Sequence, residues 1–311
     1  MKKRIELLFK NKILFSGVAI LMVMLYHQPP EGLVKGIYFY PGFAGVDIFL
    51  LFSGLGLCYS IKKYTVLQFY KRRLARILPM LILLGFCVSF NYSGYSVWDY
   101  FCNMTSLSYY KLGGDIYEWY LASLFWFYLL FPLLYACTSR SMNRNKWLPG
   151  GGILLIWVII LALVTTFNIP WYYQTALGRL PIFLLGIMCY LSVDNYKVGL
   201  VVYSIITMPI VLLLYKGLVN TYMLIYCIAP WLVFILTYII PLIQKHDYLN
   251  KLFTFFGKRS LEVYVANVIV SIYVRNLLQG VEATLIYWAA HLIVIPVVCY
   301  INTIITKRVT V

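Results

Sequence analysis

The chain has 311 residues, of which 62% are hydrophobic and only 12% carry a charged side chain. A soluble domain has about 25% charged residues, so this chain lacks the polar residues that would cover the surface of a soluble protein of its size. The composition excludes a soluble globular protein. It predicts an all-α integral membrane protein that crosses the bilayer several times.

The charge is strongly positive, with 26 Lys and Arg residues against 10 Asp and Glu residues and a net charge of +16. In a membrane protein, Lys and Arg accumulate in the cytoplasmic connections, and we therefore expect no nucleic-acid partner. The seven cysteines form no CxxC pair and mostly lie inside apolar runs. Neither a disulfide framework nor a metal site is predicted.

Apolar runs separated by short polar segments predict about ten transmembrane helices. They lie near residues 12–28, 43–61, 76–91, 119–137, 150–168, 178–193, 198–215, 221–243, 260–278 and 283–304. No small-residue cleavage site follows the first run, so we expect it to remain as the first helix. The chain, residues 1–311, is predicted to form a single transmembrane domain.

The positive residues predict the orientation of these helices. With the N-terminus in the cytoplasm, 21 of the 26 Lys and Arg residues fall on the cytoplasmic side of the membrane. Moving the pattern by one helix would destroy this asymmetry. The sequence therefore predicts that both termini are cytoplasmic.

Two polar residues near the outer ends of the first two spans are candidates for catalysis. His27 ends the first span, and Asp47 lies within the first two turns of the second, at a similar depth. A carboxylate beside an imidazole holds one tautomer and supports a general base. Two alternatives stay open: His27 is an interfacial residue, and Asp47 caps its helix or pairs with Arg179.

The densest basic cluster lies between the second and third spans and contains Lys71, Arg72, Arg73 and Arg76. Anchoring on the cytoplasmic side accounts for a cluster of this kind. Guanidinium groups also bind phosphate oxygens in a bidentate manner, so the cluster suits a polyphosphate as well. Taken alone, the cluster favours the anchoring interpretation.

Six segments carry a resemblance to a known family. They are Ser16–His27, Gly45–Gly54, Arg73–Pro79, Trp119–Pro132, Arg179–Gly186 and Gly257–Tyr264. In order and spacing they resemble the membrane acyltransferase 3 family, and they are distributed over most of the chain. That family also has ten spans.

The resemblance implies transfer of an acyl group, most often acetyl from acetyl-CoA, to a hydroxyl of an extracytoplasmic glycan or lipid-linked sugar. It implies a multi-pass protein of the bacterial cytoplasmic membrane, in contact with membrane lipid and without a permanently bound cofactor. His27 and Asp47 would be catalytic, and Arg72, Arg73 and Arg76 would hold the acyl-CoA. The implied substrate-binding residues are Ser53, Glu118, Trp119, Arg179, Tyr264 and Asn267.

Two positions depart from the family pattern. Ser16 stands where the family typically has an arginine, eleven residues before the histidine, and Asn267 stands where it commonly has a histidine. The arginine is expected to help hold the donor, so its replacement puts donor affinity and activity in doubt. A transporter or flippase of a glycan or lipid precursor, and an inactive family member, therefore stay open as alternatives.

Overall fold

The computed structural model shows a bundle of α-helices. It describes residues 2–27, 42–90, 96–105, 107, 119–145, 148–167, 175–194, 221–277 and 280–309. No strand occurs within these ranges. The helices are α1 (Lys2–Lys10), α2 (Lys12–His27), α3 (Gly45–Lys63), α4 (Val66–Ser89), α5 (Val97–Met104), α6 (Trp119–Arg144), α7 (Leu148–Thr166), α8 (Leu180–Asp194), α9 (Thr221–Lys245), α10 (Asp247–Lys258), α11 (Ser260–Leu277) and α12 (Gly280–Val309).

The helices agree with an all-α membrane protein. Each predicted span overlaps a helix, apart from 198–215, which lies outside the described residues. By length and hydropathy, four stretches of the described chain are able to cross a bilayer: Gly42–Lys63, Trp119–Arg144, Thr175–Ser192 and Glu282–Ile305. Further apolar helices, among them Lys12–His27, are shorter. The number of ten spans and the orientation of the termini stay predictions.

Helix α4 begins ten residues before the predicted start of its span at residue 76. A capping box starts it, in which the Thr65 hydroxyl accepts from the Gln68 backbone N–H and the Gln68 side chain accepts from the Thr65 backbone N–H. The basic cluster therefore lies inside a helix and not in a connecting segment. Because Arg73 and Arg76 are three residues apart on this helix, they share one face.

Three short helices, α1, α5 and α10, lie outside the predicted spans. They have 8 to 12 residues and are amphipathic. They contain no apolar run long enough to cross a bilayer, so a search for such runs does not find them. A second capping box, between Ser96 and Asp99, begins α5.

The centre of the bundle is formed by α3 and α8, which are buried along most of their length and pack against each other. Glycines allow this close approach. A Cβ atom on Gly54 would lie 2.2 Å from the Phe183 carbonyl oxygen, and one on Gly186 would lie 2.1 Å from that of Leu51. Any larger residue at these two positions would force the helices apart.

Helix α2 packs against α3, α10 and α11. A Cβ atom on Gly17 would lie 2.0 Å from the Phe253 carbonyl oxygen, and one on Gly257 would lie 1.9 Å from that of Ile13. Helix α11 also packs against α4. This arrangement brings the helix of His27 next to α11 and close to the basic cluster of α4.

Candidate functional site

A large open cavity of about 1250 Å³ lies where α2, α3, α4, α6 and α11 approach one another. Its wall includes Ser16 from α2, Ser53 from α3, Arg73 from α4 and Tyr264 from α11. Helices α2 and α3 contribute small residues such as Ser16 and Ser53 together with apolar ones such as Phe52, and α4 contributes most of the charged residues.

The polar lining of this cavity is strongly basic. Six cationic side chains take part: Lys12, Lys71, Arg72, Arg73, Arg76 and Lys258. None of the described residues that line the cavity is acidic. Because these positive charges line one cavity without a carboxylate among the described lining residues, the cavity suits an anion with several charges.

Arg73 is the least exposed cation of α4. Its side chain is half-buried, whereas those of Lys71, Arg72 and Arg76 are exposed. Burial lowers the pKa of its guanidinium below the usual value. Its Nε atom is buried and has no hydrogen-bond partner among the described residues. A partly buried donor of this kind would be stabilised by a bound anion.

Three aromatic residues of the cavity lining contact one another. The rings of Tyr120 and Tyr264 meet edge to face at 4.8 Å between centroids, and Phe49 lies 6.3 Å from Tyr120. All three residues line the cavity and are buried. We call these three residues the aromatic layer. Asn267 lies one helical turn beyond it, about 4.5 Å further along α11 than Tyr264.

His27 lies beyond this layer, at the C-terminal end of α2. Its Nδ1 atom is 2.8 Å from the Val23 carbonyl oxygen and 3.2 Å from Asn267 Nδ2. Asn267 is buried, and its side-chain oxygen contacts the hydroxyl of Tyr287 from α12. The imidazole therefore contacts a backbone carbonyl and a side-chain amide, and the amide in turn contacts a phenol.

Asp47 pairs with Arg179. The Arg179 Nε atom is 3.1 Å from Asp47 Oδ1, and both side chains are fully buried. The guanidinium lies between two rings, 4.4 Å from the centroid of Phe43 and 4.5 Å from that of Trp119. Of the interpretations open for Asp47, the ion pair with Arg179 is the one observed, and Asn267 takes the place beside His27. A catalytic role for Asp47 stays a prediction.

The ion pair and the imidazole are joined by aromatic contacts. The Tyr26 ring lies 5.6 Å from that of His27 and 5.2 Å from that of Phe43, which in turn covers Arg179. A substitution in the ion pair can therefore shift the His27 ring through the packing of these side chains, without a direct polar contact.

The predicted site residues thus fall into three groups. The cavity contains Ser53, Arg72, Arg73, Arg76 and Tyr264. The second group joins His27 to Asn267, and the third consists of Asp47, Arg179 and Trp119. Glu118 lies outside the described residues.

Sequence reasoning missed Lys258, Tyr120 and Tyr287 as members of these groups. Lys258 was visible as a basic residue inside a family-like segment, but a positive charge at a cytoplasmic connection has an ordinary explanation. Tyr287 carries no signal in the sequence, because one tyrosine within an apolar span is unremarkable. Within the described residues, no group of three or more His, Cys, Asp or Glu side chains is placed to hold a metal ion.

Comparison with known proteins gives one match. A family model, described as an acyltransferase domain of the acyltransferase 3 type, matches residues 15–306. The matched range includes the cavity lining apart from Lys12 and Ile13, the Asp47–Arg179 ion pair and the contacts of His27. No curated protein and no solved structure shows significant similarity to the chain.

Proposed function

The chain belongs to the membrane acyltransferase 3 family, and we propose that it transfers an acetyl group from cytoplasmic acetyl-CoA to a hydroxyl of an extracytoplasmic glycan or lipid-linked sugar. The proposal rests on one observation above all. A cavity with six cationic side chains leads towards the aromatic layer, and His27 lies on the far side of that layer.

The cavity has the features that coenzyme A requires. Its charged wall offers Lys12, Arg73, Arg76 and Lys258 to the phosphate groups, and guanidinium–phosphate hydrogen bonds are among the strongest in proteins. The apolar part of the wall, which includes Phe52, suits the uncharged arm that ends in the thioester. The thioester would then point towards the aromatic layer.

His27 is proposed as the general base. Its imidazole takes the proton of the acceptor hydroxyl while the hydroxyl oxygen attacks the thioester carbonyl carbon. A carbon–oxygen bond forms, the carbon–sulfur bond breaks, and the proton passes from His27 to the departing thiolate. The products are the acetyl ester and free coenzyme A, so that no oxidant or metal is needed.

The position of the groups along α2 supports transfer across the bilayer. Ser16, in the cavity wall, and His27 are eleven residues apart on one helix. At 1.5 Å per residue they are separated by about 16 Å, roughly half the apolar thickness of a membrane. With the basic end of the bundle in the cytoplasm, as the positive residues predict, His27 would face the acceptor side.

The proposal is tested with the purified protein in liposomes and radiolabelled acetyl-CoA on the side of the basic cluster. Label is expected in an isolated surface glycan or lipid-linked sugar supplied on the other side, and His27→Ala should abolish its transfer. The glycan of a deletion strain should lack the mass of one acetyl group per modified unit. If intact lipid or glycan crosses the bilayer while no acetyl group is transferred, the protein is a transporter and the proposal is wrong.

A further inference from the structure

Tyr287 and Asn267 connect His27 to the backbone of α2. The Tyr287 hydroxyl contacts Asn267 Oδ1 and lies 3.0 Å from the Met24 carbonyl oxygen. Asn267 Nδ2 lies 3.2 Å from His27 Nδ1, which is also 2.8 Å from the Val23 carbonyl oxygen. Because Tyr287 and Asn267 are buried, a mismatch between donors and acceptors within these contacts is costly.

With the Asn267 amide in this orientation, two mismatches remain. The Tyr287 hydroxyl has one proton but faces two acceptors, the amide oxygen and the Met24 carbonyl. His27 Nδ1 faces one acceptor, the Val23 carbonyl, and one donor, the amide NH₂. If Nδ1 carries a proton, its contact with the NH₂ group of Asn267 is repulsive, because two donors meet. If Nδ1 carries no proton, its contact with the Val23 carbonyl oxygen is repulsive, because two acceptors meet.

Turning the amide over by half a turn removes both mismatches at once. The amide oxygen and nitrogen exchange places, and the contact with the Tyr287 hydroxyl lengthens to that of an ordinary N–H···O hydrogen bond. The NH₂ group then donates to the Tyr287 hydroxyl oxygen, and the hydroxyl donates to the Met24 carbonyl. His27 Nδ1 donates its proton to the Val23 carbonyl, with the amide oxygen as a second acceptor. In each of these four contacts a donor now faces an acceptor, which requires that Nδ1 carries the proton.

We infer that Tyr287 is a positioning residue: through Asn267 it keeps the proton of neutral His27 on Nδ1 and leaves Nε2 unprotonated. The hydroxyl serves both roles at once, accepting from the amide and donating to α2. The use of this tautomer in catalysis rests on the proposed function, because a general base needs the unprotonated nitrogen that faces the substrate. The tautomer itself does not depend on acyl transfer.

The test is ¹⁵N NMR of the full-length protein, labelled at its three histidines and reconstituted in lipid bilayers. Protonated and unprotonated ring nitrogens resonate at well-separated frequencies, and the spectrum of His27→Gln identifies the His27 signals. At a pH where the ring is neutral, we expect one form, with the proton on Nδ1. Tyr287→Phe removes the hydroxyl and should produce a mixture of both tautomers.

Tyr273→Phe is a matched control. The Tyr273 hydroxyl also donates to a backbone carbonyl on another helix, that of Cys87 at 2.8 Å. This variant loses the same kind of helix-to-helix bond and should keep the single tautomer. Asn267→Asp offers only acceptors to Nδ1. It should hold the proton there even when combined with Tyr287→Phe, so the double variant is expected to restore the single form.

Two results would overturn the inference: a proton mainly on Nε2 in the wild-type protein, or a tautomer that Tyr287→Phe leaves unchanged. If Tyr287→Phe does not fold, the role of Tyr287 is tested in the Tyr287→Phe/Asn267→Asp double variant and in the wild type: a proton mainly on Nε2 in the wild type overturns the inference, and loss of the single form in the double variant does so as well. In the acetyl-transfer assay, Tyr287→Phe should lower kcat about ten- to a hundredfold and leave the KM for acetyl-CoA unchanged. If Tyr287→Phe changes the tautomer but the wild-type protein transfers no acetyl group, the proposed function is refuted. The inference about Tyr287 is then still supported.

Discussion

Arg179 and Asp47 form a fully buried ion pair in the middle of the helix bundle, with 3.1 Å between Nε and Oδ1. The two residues belong to different parts of the bundle: Asp47 to the first turn of α3 and Arg179 to the position just before α8. Removing two charges from water is costly, and their mutual attraction, the hydrogen bond that Arg179 Nη1 donates to the Thr175 carbonyl oxygen and the rings of Phe43 and Trp119 offset that cost. The pair therefore holds α3 and α8 in register at the level of His27.

Replacing one partner of this pair should be far more harmful than replacing both. Arg179→Met leaves the Asp47 carboxylate buried without its cation, and we expect a loss of about 3–5 kcal/mol in the free energy of unfolding. Asp47→Asn combined with Arg179→Met should recover most of that loss. Thermal unfolding in detergent measures both. If the double variant is stable but transfers no acetyl group, Asp47 or Arg179 has a role beyond packing; full activity would exclude that role.

Arg73→Ala should weaken donor binding. Charge-assisted hydrogen bonds contribute about 1.5–3 kcal/mol each, so the Kd for acetyl-CoA is expected to rise about ten- to a hundredfold by calorimetry. Arg140→Ala is the matched control, since Arg140 is exposed on α6 and does not belong to the cavity lining. An equal effect of the two substitutions would show that the overall positive charge, and not the cavity, attracts the donor.

Ser16→Arg should strengthen donor binding. Ser16 lines the cavity one turn after Lys12, so an arginine there would add a seventh cation to the lining of the same cavity. We expect a lower KM for acetyl-CoA. Ser16→Gln, which is similar in length but neutral, separates charge from size. Destabilisation by Ser16→Arg, about 2.5–3.5 kcal/mol on membrane-insertion scales, without tighter binding would mean that this part of the cavity does not hold the donor.

Gly17→Ala should separate α2 from α10. The added methyl group would lie 2.0 Å from the Phe253 carbonyl oxygen, which belongs to the backbone and cannot turn aside. Overpacking of this kind costs about 1–3 kcal/mol, to be read from thermal unfolding. For Gly151→Ala on α7 nothing lies within 4 Å of the new Cβ, and a gain of about 0.5–1 kcal/mol is expected. Similar melting temperatures for the two variants would contradict the close contact of α2 and α10.

The sequence contains the information that sets the start of α4, but the prediction from hydropathy used only part of it. The Thr65–Gln68 capping box is a sequence signal, and it marks the true start of the helix. Hydropathy alone placed the start at residue 76, because four cations precede the apolar part. Correctly bounded, the helix puts Arg73 and Arg76 on one face, which is what a phosphate site needs.

The sequence by itself determined that the chain is helical and apolar, and which residues lie near each end of the long helices. These properties are local, since composition and the length of an apolar run decide whether a segment forms a membrane helix. The depths of His27 and Asp47, and the membership of Arg72, Arg73 and Arg76 in one basic group, followed from position along the chain.

Only the tertiary structure decided which side chains meet. The sequence predicts a similar depth for His27 and Asp47, yet the imidazole faces Asn267, 240 residues away along the chain, and the carboxylate faces Arg179. Depth follows from the number of residues along a helix, but the direction of a side chain follows from the rotation of that helix about its own axis. Packing sets this rotation, here through glycine contacts such as Gly17 with Phe253 and Gly54 with Phe183.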